Sequence, residues 1–194
     1  MHSLLNNETT KRLFDFILAF ILFIIFLPVS LAVSIFIGIT SGRPFIYEQR
    51  RIGKNSKPFT LYKFRTMLEY EIGPLWTEED DERISFGGNI LRKTHLDEIP
   101  QLINILRGEI SFVGPRPERS ELVELYKQLP DYEMRHTIKP GLTGWAQLNY
   151  KASTSIEEAN EKLRYDIYYI KNRSLILDII ILSRTIKHLF FSFL

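Results

Sequence analysis

Leu96-Asp97-Glu98-Ile99-Pro100-Gln101-Leu102 sets two adjacent carboxylates at the start of an apolar stretch, with arginines on both sides in sequence. The start of a helix carries positive partial charge and free N–H groups, which keep a carboxylate ionised and can hold a phosphate. Asp97 is therefore a candidate nucleophile and Glu98 a helper, acting on a phosphorylated substrate. Neighbouring helical residues diverge by about 100°, so the two acids would take different tasks, one attacking and one orienting the site or binding a metal. Paired acids at a helix start are also common as plain caps, and the rest of the chain decides between the two.

Further residues could supply the positive charge and shape that phosphate chemistry needs. Ser111-Phe112-Val113-Gly114-Pro115-Arg116-Pro117 reads as a rigid turn that presents Arg116 between two prolines. Proline fixes the backbone, so Arg116 could fork onto a phosphate or a nucleobase edge at low entropic cost. Lys139-Pro140-Gly141-Leu142-Thr143-Gly144-Trp145 is a glycine-punctuated loop that lets backbone come close to a ligand.

The elements that must position these residues can be read around them. Ile90 to Leu106 carries helix signals, with Leu96, Ile99, Leu102, Ile103 and Leu106 on one face and Gly108 as a stop. Thr94 with Asp97 three residues on resembles a capping box, while Pro100 suits a first turn. Phe45 to Met67 reads as a β-hairpin turned at Gly53-Lys54-Asn55-Ser56. Residues 69–89 read as a loop punctuated by Gly73-Pro74 and Gly87-Gly88. Helices are expected from Glu118 to Lys127 and from Ile156 to Tyr169, the second carrying Asp166.

Composition narrows the classes. The formal net charge of +2 is too small for a nucleic-acid binder. Arg43, Arg50, Arg51, Lys54, Lys57, Lys63 and Arg65 face only Glu48 between residues 43 and 65, a basic block suited to anionic headgroups or phosphates. An acidic run from Glu69 to Glu82 follows and reads as a solvated loop. With no cysteine there is no thiol nucleophile and no disulfide framework, and the four scattered histidines offer no zinc spacing.

Leu13 to Ile39 is almost wholly apolar and is longer than the ~20 residues a bilayer span needs. It lacks the cleavage site of a signal peptide. Pro28 near its middle removes a backbone hydrogen bond, and positive charge flanks both ends, which places both in the cytoplasm. A helix that enters, breaks at Leu27-Pro28 and returns meets both facts. A kinked transmembrane helix is the alternative. Asp15 is expected at the interface, hydrated or paired with Lys11 or Arg12. Near the C-terminus, Leu175 to Leu182 reads as an interfacial helix, with a core helix as the alternative.

Taken in order, the blocks Tyr62-Lys63-Phe64-Arg65-Thr66-Met67, Leu91-Arg92-Lys93, Leu96 to Leu102, Ser111 to Pro117, Lys139 to Gln147 and Asp166-Ile167-Tyr168-Tyr169-Ile170 resemble the bacterial sugar transferases. The resemblance is specifically to the small monotopic polyprenyl-phosphate phosphoglycosyl transferases. It implies an α+β, mainly helical fold, with a re-entrant membrane helix over residues 1–40, a β-hairpin, interfacial helices and a cytoplasmic catalytic domain over residues 41–194 at the bacterial inner membrane. It implies transfer of a sugar-1-phosphate from a nucleotide-sugar donor, usually a UDP-sugar, to polyprenyl phosphate, with UMP leaving. In the family the dyad aspartate forms a covalent phosphosugar intermediate, the kinetics are ping-pong and Mg²⁺ is required.

Carried over, Asp97 is the nucleophile and touches Mg²⁺, and Glu98 orients the site or assists with protons or metal. Pro115 and Arg116 serve the nucleotide or phosphate, Lys63, Arg65 and Arg92 balance phosphate charge, and Asp166 is a further active-site carboxylate. Two stretches depart from the family. Leu27-Pro28 stands where many relatives have Ser-Pro, which leaves Ser30 or Ser34 to satisfy the freed backbone. Leu148-Asn149-Tyr150-Lys151-Ala152 replaces a frequent Val-Asn-Gly-Arg-Asn, so the sugar stays open. The chain is expected to be essentially the catalytic core, without the extra membrane helices of larger members. The competing readings are a non-catalytic adapter that binds anionic lipid through the basic hairpin, and a hydrolase of nucleoside-diphosphate sugars.

Overall fold

The computed structural model describes residues 8–67, 83–150 and 155–191. The acidic run and its glycine-proline punctuation, from residue 68 to 82, lie outside the described residues, as do residues 151–154. The fold is mainly helical with two small sheets, in keeping with the α+β expectation.

Helix α1 (Glu8–Thr40) is one unbroken 33-residue helix with Pro28 inside it. The chain stays helical through Leu27-Pro28 instead of opening there, so a return to the same face rests on a bend at Pro28 and not on a loss of helix. Proline removes one N–H from the ladder, but the bonds before and after it hold the helix together, and apolar surroundings favour that outcome. Ser34 Oγ donates to the Ser30 carbonyl at 2.8 Å, one turn back in its own helix, so this hydroxyl does not reach the Ile24 carbonyl that Pro28 leaves without its usual partner. α1 is long and apolar enough to cross a membrane by length and composition, and it is mostly not covered by the rest of the chain. Its outer face exposes Phe16, Phe20, Ile24, Leu27, Leu31 and Ile35.

The inner face of α1 packs on the remainder of the chain at both ends. Ala19 is buried in a core with Leu102, Ile105, Ile110 and Ile181, while Val33 and Ile37 are buried with Phe64 and Leu91. Asp15 is not interfacial. It is buried and accepts from the Phe112 N–H at 3.3 Å. Lys11 instead pairs with the buried Asp178 at 2.5 Å, and Arg12 donates to the Ile105 and Leu106 carbonyls at 2.6 Å each.

Strands β1 (Ile46–Ile52) and β2 (Pro58–Phe64) form the expected antiparallel hairpin, with Tyr47 opposite Lys63. Asn55 and Ser56 in its turn have positive φ. The single helix expected from Ile90 to Leu106 is two: α2 (Phe86–Lys93) and α3 (Gln101–Arg107). A one-turn 3₁₀ segment, Leu96–Glu98, lies between them. Gly87 and Gly88 are not loop punctuation, because both sit in the first turn of α2. A Cβ on Gly88 would fall on the Thr66 carbonyl, and one on Gly87 would meet the Phe36 ring at 2.7 Å. Gly108 closes α3 in the left-handed region, as its position predicts.

Short strands β3 (Ser111–Val113) and β4 (Gly141–Thr143) pair in parallel. α4 (Ser120–Tyr126) and α5 (Trp145–Asn149) follow β3 and β4 respectively. α6 (Ile156–Asn172) and α7 (Leu175–Phe191) end the described chain. α7 packs as a core helix along one side and leaves an apolar face uncovered on the other. Asp178 and Ile181 are buried, while Ile176, Ile179, Ile180 and Ile186 stay exposed.

Candidate active site

The dyad sits where the chain turns most sharply between α2 and α3. Thr94 ends α2, its hydroxyl donating back to the Ile90 carbonyl at 2.8 Å, so it does not cap the dyad. His95 then takes φ 54°. That left-handed residue stops one helix and restarts the chain in a different direction, which is why the apolar period from Ile90 to Leu106 did not produce one helix. Asp97 and Glu98 lie in the resulting 3₁₀ turn, with Pro100 at the cap of α3.

Their environments differ. Lys63 Nζ, from β2, reaches Glu98 Oε1 at 2.6 Å and stays 3.9 Å from Asp97 Oδ2. Arg116 Nη2 lies 3.9 Å from the same Glu98 oxygen. Burial disfavours the Glu98 charge, but Lys63 and Arg116 outweigh it and hold the carboxyl down at about 2. Asp97 is 7% exposed. Burial raises its pKa, and the Glu98 charge adds to the rise against the pull of Lys63, His95 and Arg92. A single 3₁₀ turn offers little dipole, so desolvation sets the direction of the shift, opposite to the one a helix start would give.

The two carboxylates open onto a cavity of ≈ 350 Å³. Lys63, Arg65, Arg92 and Arg116 line it, as expected of phosphate-binding groups. So do Arg51, Arg119, His95, Tyr47 and Gln49, which sequence reasoning did not single out. Arg51 was visible only as one of a basic block, and alternation on β1 with Gln49 is the signal that could have found it. Crowding shows in its chemistry: burial and the neighbouring Arg116 and Arg119 bring Arg51 down to about 10.

Not every cation there is available to a ligand. Arg92 Nε bonds Thr66 Oγ1 at 3.0 Å. Arg65 is committed elsewhere: its guanidinium donates to the Ser41, Gly42 and Arg43 carbonyls just past the end of α1. It therefore ties the end of α1 to the hairpin while its charge stays at the cavity wall.

Pro115 and Asp166 do not line the cavity. Pro115 is buried, and its carbonyl accepts from the Gly141 N–H at 2.9 Å. Asp166 is 3% exposed and pairs with Arg135 Nε at 2.9 Å. Arg135 in turn donates to the Arg116 carbonyl at 3.0 Å, and Arg51 to the Pro117 carbonyl at 2.9 Å. Asp166 thus supports the backbone that aims Arg116 without meeting the ligand space itself. Arg135 is the residue missed here, since a buried arginine behind a loop leaves no trace in spacing.

Among the described residues no cluster of three or more metal-binding side chains occurs. Glu98 is taken by Lys63, while no hydrogen bond is made to the Asp97 carboxylate among the described residues. One open carboxylate facing a cationic cavity suits Mg²⁺, which keeps waters and shares substrate phosphates instead of needing a protein cage.

The bacterial sugar transferase family model matches residues 6–192, nearly the whole chain. The chain belongs to the bacterial sugar transferase family. Among its relatives are a UDP-N-acetylgalactosamine-undecaprenyl-phosphate N-acetylgalactosaminephosphotransferase of Aeromonas hydrophila and a UDP-glucose:undecaprenyl-phosphate glucose-1-phosphate transferase of Escherichia coli K12. The first is 37% identical over 91% of this chain and 43% of its own length. The second is 38% identical over 93% of this chain and 40% of its own length. The chain therefore spans about two fifths of these two relatives. It covers 85% of the Bacillus subtilis uncharacterized sugar transferase EpsL, at 38% identity.

Proposed function

We propose that this bacterial sugar transferase moves a sugar-1-phosphate from a UDP-sugar to undecaprenyl phosphate or a similar polyprenyl phosphate, releasing UMP, with Asp97 as the covalent nucleophile. The observation that carries the reading is the open Asp97 carboxylate, set 3.9 Å from Lys63 in a cavity ringed by arginines. The names of the Aeromonas and Escherichia relatives point to the same donor and acceptor classes.

Asp97 Oδ attacks the sugar-bearing phosphorus, and the P–O bond to UMP breaks, its electron pair leaving on the UMP phosphate. An oxygen of the acceptor phosphate then attacks that phosphorus and returns the Asp97 carboxylate. No proton needs to be shuttled. Two steps let a soluble donor and a lipid acceptor use one site in turn, which is ping-pong. Lys63 and Arg116 meet the negative charge that develops on the phosphates, and Arg51 adds to the field. Glu98, held anionic, keeps Lys63 beside Asp97. Asp97 would hold Mg²⁺, which would supply further positive charge against the phosphates.

We further propose a monotopic arrangement at the inner membrane with the catalytic domain in the cytoplasm and α1 re-entrant. Both ends of α1 pack on the same domain, through Lys11–Asp178 at one end and the Arg65 contacts at the other. A straight span would carry one end about 30 Å away, across the hydrocarbon core.

Detergent-extracted protein with Mg²⁺, undecaprenyl phosphate and a panel of UDP-sugars tests the proposal. At least one donor should give lipid-dependent UMP, and Asp97→Asn should lower it by about 10³-fold or more. Lipid-independent UMP would favour a hydrolase. No UMP from any donor, or full activity of Asp97→Asn, contradicts the reading.

A further inference from the structure

A second cavity of ≈ 580 Å³ adjoins the catalytic one on the membrane side. Phe64 lines both. One wall is α1 at Leu27, Pro28 and Leu31, and the facing wall is Ile99, Pro100 and Ile103. Ile99 and Pro100 directly follow Glu98, so one turn of chain presents its carboxylates to the cationic cavity and its next two side chains to the apolar groove. Ser30 and Ser34 are the only polar groups lining the groove, and the Ser34 hydroxyl is already bonded to the Ser30 carbonyl.

Such a wall offers nothing to a nucleotide or a sugar. It suits a chain of hydrocarbon whose polar end lies in the neighbouring cavity. Leu27 and Leu31 are 55% and 64% exposed on a helix that is otherwise apolar outward, so the groove opens towards the lipid phase. A ligand entering from the membrane tail-last would place its phosphate at the Phe64 junction, beside Lys63 and the dyad.

We propose that this groove holds the isoprenoid tail of the acceptor, next to the head-group phosphate, and so selects the lipid substrate. The proposal rests on the transferase reading above and adds to it the surface that recognises the acceptor.

The experiment uses the full chain in lipid nanodiscs with Leu31→Trp and Ile103→Trp, each of which fills the groove. KM values are measured for the UDP-sugar and separately for undecaprenyl phosphate and a three-isoprene prenyl phosphate. Acceptor KM for the long lipid should rise about ten-fold with donor KM within about two-fold, and the preference for long over short prenyl chains should shrink. Leu31 is exposed, so its substitution leaves folding intact and keeps the test open if Ile103→Trp misfolds. Unchanged acceptor KM and chain preference in Leu31→Trp would overturn the proposal and assign the groove to bulk bilayer lipid. Donor and acceptor KM rising together would also overturn it. Absence of lipid-dependent UMP from the wild type would instead strike the transferase reading itself.

Discussion

Lys63 bonds Glu98 at 2.6 Å and lies 3.9 Å from Asp97, and this difference in reach supports the separate tasks proposed for the two acids. Glu98 is locked as an anion whose pKa has fallen to about 2 from an ordinary 4.5. A folded-state pKa below the unfolded one stabilises the protein above the unfolded value, and the gain disappears as pH falls through the folded one. The Glu98 contribution should therefore be complete above about 4.5 and fade towards pH 2. Lys63→Met should flatten the stability curve in that window and cost about 3 kcal/mol at neutral pH, because it strands a buried carboxylate. Chemical denaturation at stepped pH measures both. The dyad itself was legible in sequence, since adjacent acids are a local feature. Its uneven environment was not, because Lys63 arrives from a strand more than thirty residues away and burial is set by the whole fold.

Elements decide how Arg116 is aimed. The loop from Gly114 to Glu118 has its backbone held on several sides: by Thr143 and Gly141 of β4, by Arg51 from β1, and by Arg135 from the 3₁₀ segment Tyr132–Thr137. Asp166→Asn removes the main partner of a buried arginine. It should cost about 3 kcal/mol of stability and raise donor KM about ten-fold through a loosened Arg116, read by thermal melts and steady-state kinetics. The same 3₁₀ segment carries His136, whose Nδ1 lies 3.0 Å from Ser56 Oγ. Burial and the Arg135 charge lower its pKa below 6.5, so the unfolded chain binds the proton more readily. Stability should drop as pH falls below about 6.5, and His136→Gln should remove that dependence, as urea midpoints between pH 5 and 8 would record. The hairpin, α4 and α6 could be read from period and turn residues. The split between α2 and α3 could not, because it hangs on one left-handed residue, His95. Gly87 and Gly88 misled for a related reason: they are glycines because Phe36 and the Thr66 carbonyl press on α2, a tertiary demand that looks like a loop signal in one dimension. Arg65 lines the cavity while holding the end of α1, and Asp166 stands behind Arg116 through Arg135, partners that lie far away in sequence and leave no local signal.

At the scale of the whole molecule, an apolar helix, a cationic cavity and an open carboxylate meet along one edge. α1 lies against the domain through Ala19 at one end and Ile37 at the other, and its outer face is free for lipid. In the proposed reaction that arrangement would bring a membrane-borne phosphate to the same atom that meets a soluble diphosphate, with two-step transfer through Asp97. Intact and peptide mass spectrometry of protein incubated with Mg²⁺ and an accepted UDP-sugar, without polyprenyl phosphate, tests this most directly. A sugar-phosphate adduct should form on the peptide containing Asp97, disappear when undecaprenyl phosphate is added and be absent from Asp97→Asn. An unmodified Asp97 under conditions where the same preparation releases UMP on addition of the lipid would contradict the account.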